Sequence, residues 1–372
     1  MSRTARILGA GQTSYVRRPD ETLRTRDVLA RAAALALADA GLGPGDVDGL
    51  GVASFSLAPD RAIDLSVQLG LRVRWLMDAG TGGASAIDML QHARRAVENG
   101  DARCVVLVAG DVLRPSAQLA LTNAYNAARQ AYLAPIPHGG ANSLFALLTT
   151  IHMERNGLTR EDYGEIVIAQ REWAGKNPNA RYREPLAIDE YLAGAVVADP
   201  LVVYDCVPVV AGGDAIVVAA GDSGLRVRAL AVNHNWDSQE QDGMETGLRA
   251  IAEQFWREAG VTPADVDVVS VYDDYPVMVL IQLVDLGFGA VREILDAVRT
   301  RRLALNTSGG QLAAGQTGAG GGMHGVVEVV RQLQGAAGER QVAEARLGLA
   351  TGYGMIAYRY GACANVVLVE RP

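Results

Sequence analysis

A chain of 372 residues with 49% hydrophobic content has enough apolar surface to bury a large core, and its length favours two or three domains. Acidic residues outnumber basic ones, 42 against 34, for a net charge of -8, so no broad cationic field is available to attract nucleic acid or anionic lipid. Neither nucleic acid nor a membrane is expected as a partner.

The opening residues, MSRTARILGAGQT, lack an apolar core of signal-peptide length and read as a first β-strand, so a cytoplasmic location is expected. An amphipathic helix is predicted over Arg26 to Ala40. It runs into Ala40-Gly-Leu-Gly-Pro-Gly-Asp-Val-Asp-Gly-Leu-Gly-Val52, a glycine stop and proline turn leading to a strand. Next, Asp78-Ala-Gly-Thr-Gly-Gly-Ala-Ser-Ala-Ile-Asp-Met-Leu90 places three glycines at the start of a helix predicted over Thr81 to Val97. Free amides and a helix dipole at such a place suit an oxyanion, whereas no Gly-Lys-Ser/Thr follows and the Gly-x-Gly-x-x-Gly spacing fails. A strand over Cys104 to Ala109 completes this unit.

Residues 120–199 are polar and rich in Pro and Asn, and read as helices and loops inserted over the first half, where long insertions cover binding sites. The apolar stretch 201–220 is interrupted by Asp205, Pro208, Gly212, Gly213 and Asp214, which predicts two buried strands and no membrane span. A second copy of the early pattern follows. A helix over Gly247 to Ala259 leads into Ala259-Gly-Val-Thr-Pro-Ala-Asp-Val-Asp-Val-Val-Ser-Val271, in register with 40–52; a glycine-rich run enters a helix at Gly315 to Leu333, and a strand follows at Arg346 to Ala350. Agreement of four successive elements predicts an internal duplication, with α/β halves at 1–225 and 226–372.

Cys104, Cys206 and Cys363 show no Cys-x-x-Cys spacing, which excludes a zinc ribbon in this chain and suits a reducing compartment. His92, His138, His152, His234 and His324 have no paired metal spacing, so no metal site is expected. Lys176, the only lysine, lies in a polar Asn-Pro-Asn loop that suits a solvated side chain better than a nucleophilic amine.

The strings ILGAGQTSYVR, HMERNGLTREDYGEI (152–166), NPNARYREPL (177–186), ADPLVVYDCVPVVAGGDAIVV (198–218), VYDDY (271–275), NTSGGQL (306–312) and GVVEVVRQLQG (325–335) resemble the thiolase superfamily, in particular its sterol-carrier-protein-X-type members and their aldolase relatives. The resemblance implies a thiolase-like α/β fold: two duplicated five-stranded halves in a layered α-β-α-β-α arrangement about a pseudo-dyad, with a homodimer as the basic unit. The four thiolase catalytic positions are altered. No thiol stands within Thr81-Gly82-Gly83-Ala84, the Gly-His-Pro place reads Gly315-Gln316-Thr317, the C-terminal motif reads Thr351-Gly352-Tyr353-Gly354, and the fourth position is Tyr272.

What the resemblance then implies is closest to the aldolases of steroid side-chain degradation, which carry a tyrosine on the VYDDY strand. Such a carbon–carbon lyase would cleave or form a β-hydroxyacyl-CoA-type thioester without a cysteine nucleophile. Amides around Gly82, Gly83, Gly315 and Gly352 would bind the thioester and hold the enolate, with Gln316 as an oxyanion donor. Tyr272 would move the proton, helped by Asp273 or His324; Asp273 and Asp274, if both on a strand, face opposite sides, so at most one serves. Relatives with a second tyrosine carry it where Gly322 stands here, and Tyr353 or Tyr275 would substitute. Coenzyme A enters only as part of the substrate, and the implied partner is a zinc-ribbon/OB-fold protein. Two alternatives are a catalytically degenerate thiolase-like subunit of such a complex, and an acyltransferase using Cys363 or Ser85.

Overall fold

The computed structural model describes residues 4–372 except 115, 118–119, 122–123, 137–138, 237–239, 241 and 359–360; His138 therefore lies outside the described residues. The chain begins β1 (Ala5–Gln12), α1 (Thr25–Asp39), β2 (Gly49–Ala53), α2 (Arg61–Gln68), β3 (Trp75–Ala79), α3 (Ser85–Asn99), β4 (Cys104–Asp111). A helical region follows, with α4 (Ala141–Asn156), α5 (Arg160–Gly175) and α6 (Ile188–Leu192), and ends in a small ribbon of β5 (Val196–Ala198) and β6 (Leu201–Val202). Then come β7 (Gly212–Ala220), β8 (Leu225–His234), α7 (Gly247–Ala259), β9 (Val268–Ser270), α8 (Pro276–Asp285), α9 (Val291–Arg299) and α10 (Gly310–Ala314). The chain closes with α11 (Gly321–Gln334), β10 (Leu347–Gly354) and β11 (Cys363–Glu370).

The repeat has a physical reason. In the first copy the Gly43 N–H donates to Asp46 Oδ2 (2.9 Å) across a one-turn 3-10 helix; in the second, Thr262 N–H donates to Asp265 Oδ2 (2.8 Å) across another. The next aspartate of each copy ties two strands together. Asp48 accepts from the Arg103 and Cys104 amides at the start of β4, and Asp267 accepts from the Arg346 and Leu347 amides at the start of β10. The later glycine-rich runs match too: each forms one 3-10 turn, Gly82–Ala84 or Gly318–Gly320, leads into α3 or α11, and stops at a left-handed glycine, Gly100 or Gly335.

Nine strands make one mixed sheet in the order β3-β2-β4-β7-β1-β8-β11-β10-β9. This order is symmetric about its middle: β1 and β8 meet antiparallel through Arg6–Arg226 and Ile7–Leu225, and β7, β4 and β2 answer β11, β10 and β9. The counterpart of β3 is reduced to a single bridge between Val269 and Leu305.

Alternation along the strands sorts their side chains into layers. On β4, Val106 and Val108 pack with Val28, Leu29 and Leu65 of α1 and α2, whereas Val105 and Leu107 face a central cluster with Ile87, Met89, Met323 and Val326 of α3 and α11. On β11, Val367 and Val369 join that same central cluster, while Val366 and Leu368 face Leu280 and Leu283 of α8. The α-β-α-β-α layering is thus present, with α3 and α11 sharing the middle layer.

Two expectations need correction. The 120–199 region does not lie simply over the first half: Phe145, Leu148, Tyr163 and Ile166 share one core cluster with Val277, Leu280, Ile294 and Val366, and Arg292 ion-pairs with Asp162 (3.2 Å). Its buried stripes match the apolar faces of α8 and α9, a match between distant segments that no local pattern displays. In 201–220, only Gly212–Ala220 forms a full sheet strand; Leu201–Val202 pairs with β5, and Val203–Asp205 is a 3-10 turn because Asp205 Oδ2 accepts from Val202 N–H (2.8 Å). No described helix is long and apolar enough to cross a membrane.

Candidate active site

After β9 the chain leaves the sheet and bends at Asp274 and Tyr275, beyond which Pro276 opens α8. Tyr272 is held on both sides of its backbone: its N–H donates to Thr351 Oγ1 (2.9 Å), and its carbonyl accepts from Gln282 Nε2 (2.7 Å). The ring covers Gly83, where any added β-carbon would overlap it, and a β-carbon on Gly321 would stand 3.1 Å from the hydroxyl. The phenolic oxygen therefore sits where the glycine entrances of α3 and α11 converge.

Gln316 Nε2 donates to that oxygen (3.2 Å) and to Gln311 Oε1 (3.1 Å). Its backbone is fixed in turn, since Gln316 N–H donates to Pro208 O and Val210 N–H donates to Gln316 O. Because Gln316 serves the phenol as a donor, the phenol keeps its own proton for a ligand. Burial, reinforced by the nearby Asp274 carboxyl, pushes the Tyr272 phenol well above its usual value, so it is neutral at physiological pH.

Tyr272 opens onto a cleft of about 980 Å³, counting the space at its mouth. Gly83, Tyr125, Asp274, Tyr275, Gln316 and Tyr353 supply polar lining, and Phe55, Leu113, Leu133, Leu144, Val207 and Ile356 supply apolar walls. Tyr275 Oη donates to Asn142 Oδ1 (2.6 Å), and its ring stacks on Phe145 with centroids 4.3 Å apart. Tyr353 lies on β10 opposite Ala364.

The aspartate lining the cleft is Asp274, not Asp273. Residues 271–275 are outside β9, so strand alternation does not govern them. Asp273 turns inward and accepts from the Gln311 and Leu312 amides at the start of α10 (2.9 and 3.2 Å). Asp274 Oδ1 is buried with no hydrogen-bond partner among the described residues, and burial together with repulsion from Asp273 pushes this carboxyl up to about 8. A carboxyl poised near neutrality in a cleft is suited to proton transfer.

His324 does not line the main cleft either. Nδ1 meets Tyr15 Oη (2.9 Å) and Gln12 Nε2 (3.2 Å), and Nε2 meets Ser308 Oγ (2.7 Å), so both ring nitrogens are occupied within the protein. Burial pulls it down to about 4, which makes it a neutral packing and positioning group for α11. Among the four glycines, Gly83 lines the cleft, whereas β-carbons on Gly315 and Gly352 would strike Val210 and Asn365, and one on Gly82 would approach Tyr125 Oη. Gly315 and Gly352 therefore serve close packing. Gly322 presses on the Gly83 carbonyl, so a tyrosine has no room there.

The candidate acyltransferase groups are away from the cleft lining: Ser85 is fully buried and its Oγ accepts from Thr81 N–H (3.1 Å), and burial pushes Cys363 up to about 12. Lys176 is exposed, with Nζ 4.9 Å from the Trp173 ring centroid. Tyr125 and Arg129 line the cleft but carry no sequence motif; their four-residue spacing with Leu121 and Leu133 is the only signal they offered.

Residues 229–363 match the family model described as thiolase C-terminal domain-like. Over 366 residues the chain is 32% identical to the 17-hydroxy-3-oxo-4-pregnene-20-carboxyl-CoA lyase of Mycobacterium tuberculosis, spanning 90% of this chain and 92% of that protein. It is 28% identical over 368 residues to a steroid side-chain-cleaving aldolase of Thermomonospora curvata, spanning 89% and 90%. A solved structure described as an Ltp2-ChsH2(DUF35) aldolase superposes with a TM-score of 0.83 at 25% identity, covering 99% of this chain and 97% of that one.

Proposed function

From the premise that this chain belongs to the thiolase superfamily, among its steroid side-chain-cleaving, thiolase-like aldolases, we propose that it cleaves β-hydroxyacyl-CoA thioesters without forming an acyl-enzyme. It is a carbon–carbon lyase. The observation that carries the finer reading is the Tyr272 hydroxyl at the convergence of the two helix entrances, in one cleft with Asp274.

The thioester carbonyl lies at the α3 entrance, where the Gly82 and Gly83 amides stabilise the developing enolate; the Ala84 N–H already donates to the Thr81 carbonyl (3.2 Å). Asp274 in its carboxylate form takes the β-hydroxyl proton. The Cα–Cβ bond breaks, the new carbonyl compound departs, and the electron pair enters the enolate. Tyr272 then protonates Cα. Gln316 Nε2 steadies the phenolate until the Asp274 carboxyl returns the proton, so the enzyme ends as it began. The apolar walls fit a bulky acyl group, and the names of the relatives support a steroid-type one.

A partner protein with a zinc ribbon and OB-fold completes the assembly; the second protein named with the Ltp2-type aldolase supports this. The three free thiols suit the cytoplasm. A homodimer is supported by the sheet edge at β3, where Ile63 and Val67 of α2 and Leu76 of β3 are 51%, 75% and 41% exposed beside the outer side of the edge strand. Val67→Glu combined with Leu76→Lys is expected to give a folded monomer in sedimentation velocity; an unchanged dimer would assign the interface elsewhere.

The activity test is direct: incubate the purified chain, with and without a zinc-ribbon partner, with β-hydroxyacyl-CoA substrates and measure released ketone or aldehyde together with shortened acyl-CoA. Failure to release either product under both conditions rejects the lyase reaction. Because Asp274 must lose its proton to act, kcat/KM is expected to rise with pH through an apparent pKa near 8. Asp274→Asn should remove that limb and lower kcat/KM by about 100-fold or more. Persistence of the same limb in the variant would rule Asp274 out as the base.

A further inference from the structure

The cleft holds one charge that the lyase chemistry leaves unused. Arg129 opens a one-turn π-helical segment, Arg129–Leu133, lines the cleft, and is only 7% exposed. Its Nε and Nη1 are buried with no acceptor, and no carboxylate lies within ion-pair distance, among the described residues. Its backbone is nevertheless anchored: the Arg129 N–H donates to Asn126 Oδ1 (2.9 Å), and Asn126 Nδ2 donates to the Ile356 carbonyl (2.7 Å) just beyond β10. The backbone of Arg129 is therefore fixed, while its guanidinium has no counter-charge among the described residues.

A guanidinium cannot relieve its burial by losing a proton, and an unpaired buried cation is costly. Its forked donors match a carboxylate or phosphate. We propose that Arg129 binds an anionic oxygen group carried by the thioester substrate, either a carboxylate on the acyl group or a phosphate of coenzyme A. This rests on the thioester reading above.

Binding is measured by calorimetry with four stable thioether analogues: a coenzyme A and a pantetheine thioether, each with a terminal acyl carboxylate or its methyl ester. Arg129→Gln is expected to weaken binding by about 30-fold. If the acyl carboxylate is the anion, the loss follows the carboxylate on both carriers and is absent from the esters. If a phosphate is the anion, the loss follows coenzyme A whatever the acyl terminus. Equal affinity of Arg129→Gln and wild type for every analogue that the wild type binds overturns the proposal. So does a lower melting temperature of ligand-free Arg129→Gln, because a cation with no internal partner should leave stability unchanged or improved when removed. Failure of the wild type to bind any of the four instead rejects the thioester reading itself, and the role of Arg129 falls with it.

Discussion

Tyr272→Phe is expected to lower kcat/KM by about 100- to 10,000-fold while leaving the fold intact, the range by which a positioned proton donor accelerates a reaction. The ring would still fill the space over Gly83 and near Gly321, and the backbone bonds to Thr351 and Gln282 do not involve the hydroxyl. Only the oxygen and its bond from Gln316 disappear. Circular dichroism and melting temperature should match wild type, separating lost chemistry from lost structure. Full turnover by the variant would remove Tyr272 from the mechanism.

Gly83→Ala is expected to be almost as damaging, for a steric reason. Gly83 has an ordinary negative φ, so the backbone itself accepts alanine; the obstacle is the Tyr272 ring, which occupies the place of the new methyl. Overpacking of this kind costs about 1–3 kcal/mol and displaces the ring. Placing the change in a Tyr272→Ala background should abolish the stability cost, since the obstructing ring is then gone. A cost that is the same in both backgrounds, measured by denaturant unfolding of the four proteins, would show that the two residues do not interact. A side chain at position 83 and the tyrosine at 272 therefore exclude one another.

Much of the architecture was legible locally. The repeated Pro-x-Asp-Val-Asp pattern encodes a 3-10 turn closed by the first aspartate and a strand tie made by the second, and the glycine runs encode helix entrances. Helices alternating with strands show two α/β halves, because each element carries its apolar face in its own sequence; the order of the layers was implied only by the thiolase resemblance. Tyr272 was found through the resemblance of VYDDY (271–275) to the thiolase-like aldolases, directly after the second repeat.

Which neighbour each functional group meets was decided by tertiary structure alone. The chain quits the sheet at Ser270, so strand alternation does not reach Asp273 and Asp274; the turn into α8 sends one to the α10 amides and the other to the cleft. His324 lies on a legible helix, yet contacts with Gln12, Tyr15 and Ser308, all distant in sequence, occupy its ring. Arg129 is invisible to any motif, because a cation without a partner among the described residues is defined by what fails to surround it. Periodicity and turn chemistry act over a few residues and can be read from the chain, whereas desolvation and pairing depend on segments brought together only by folding.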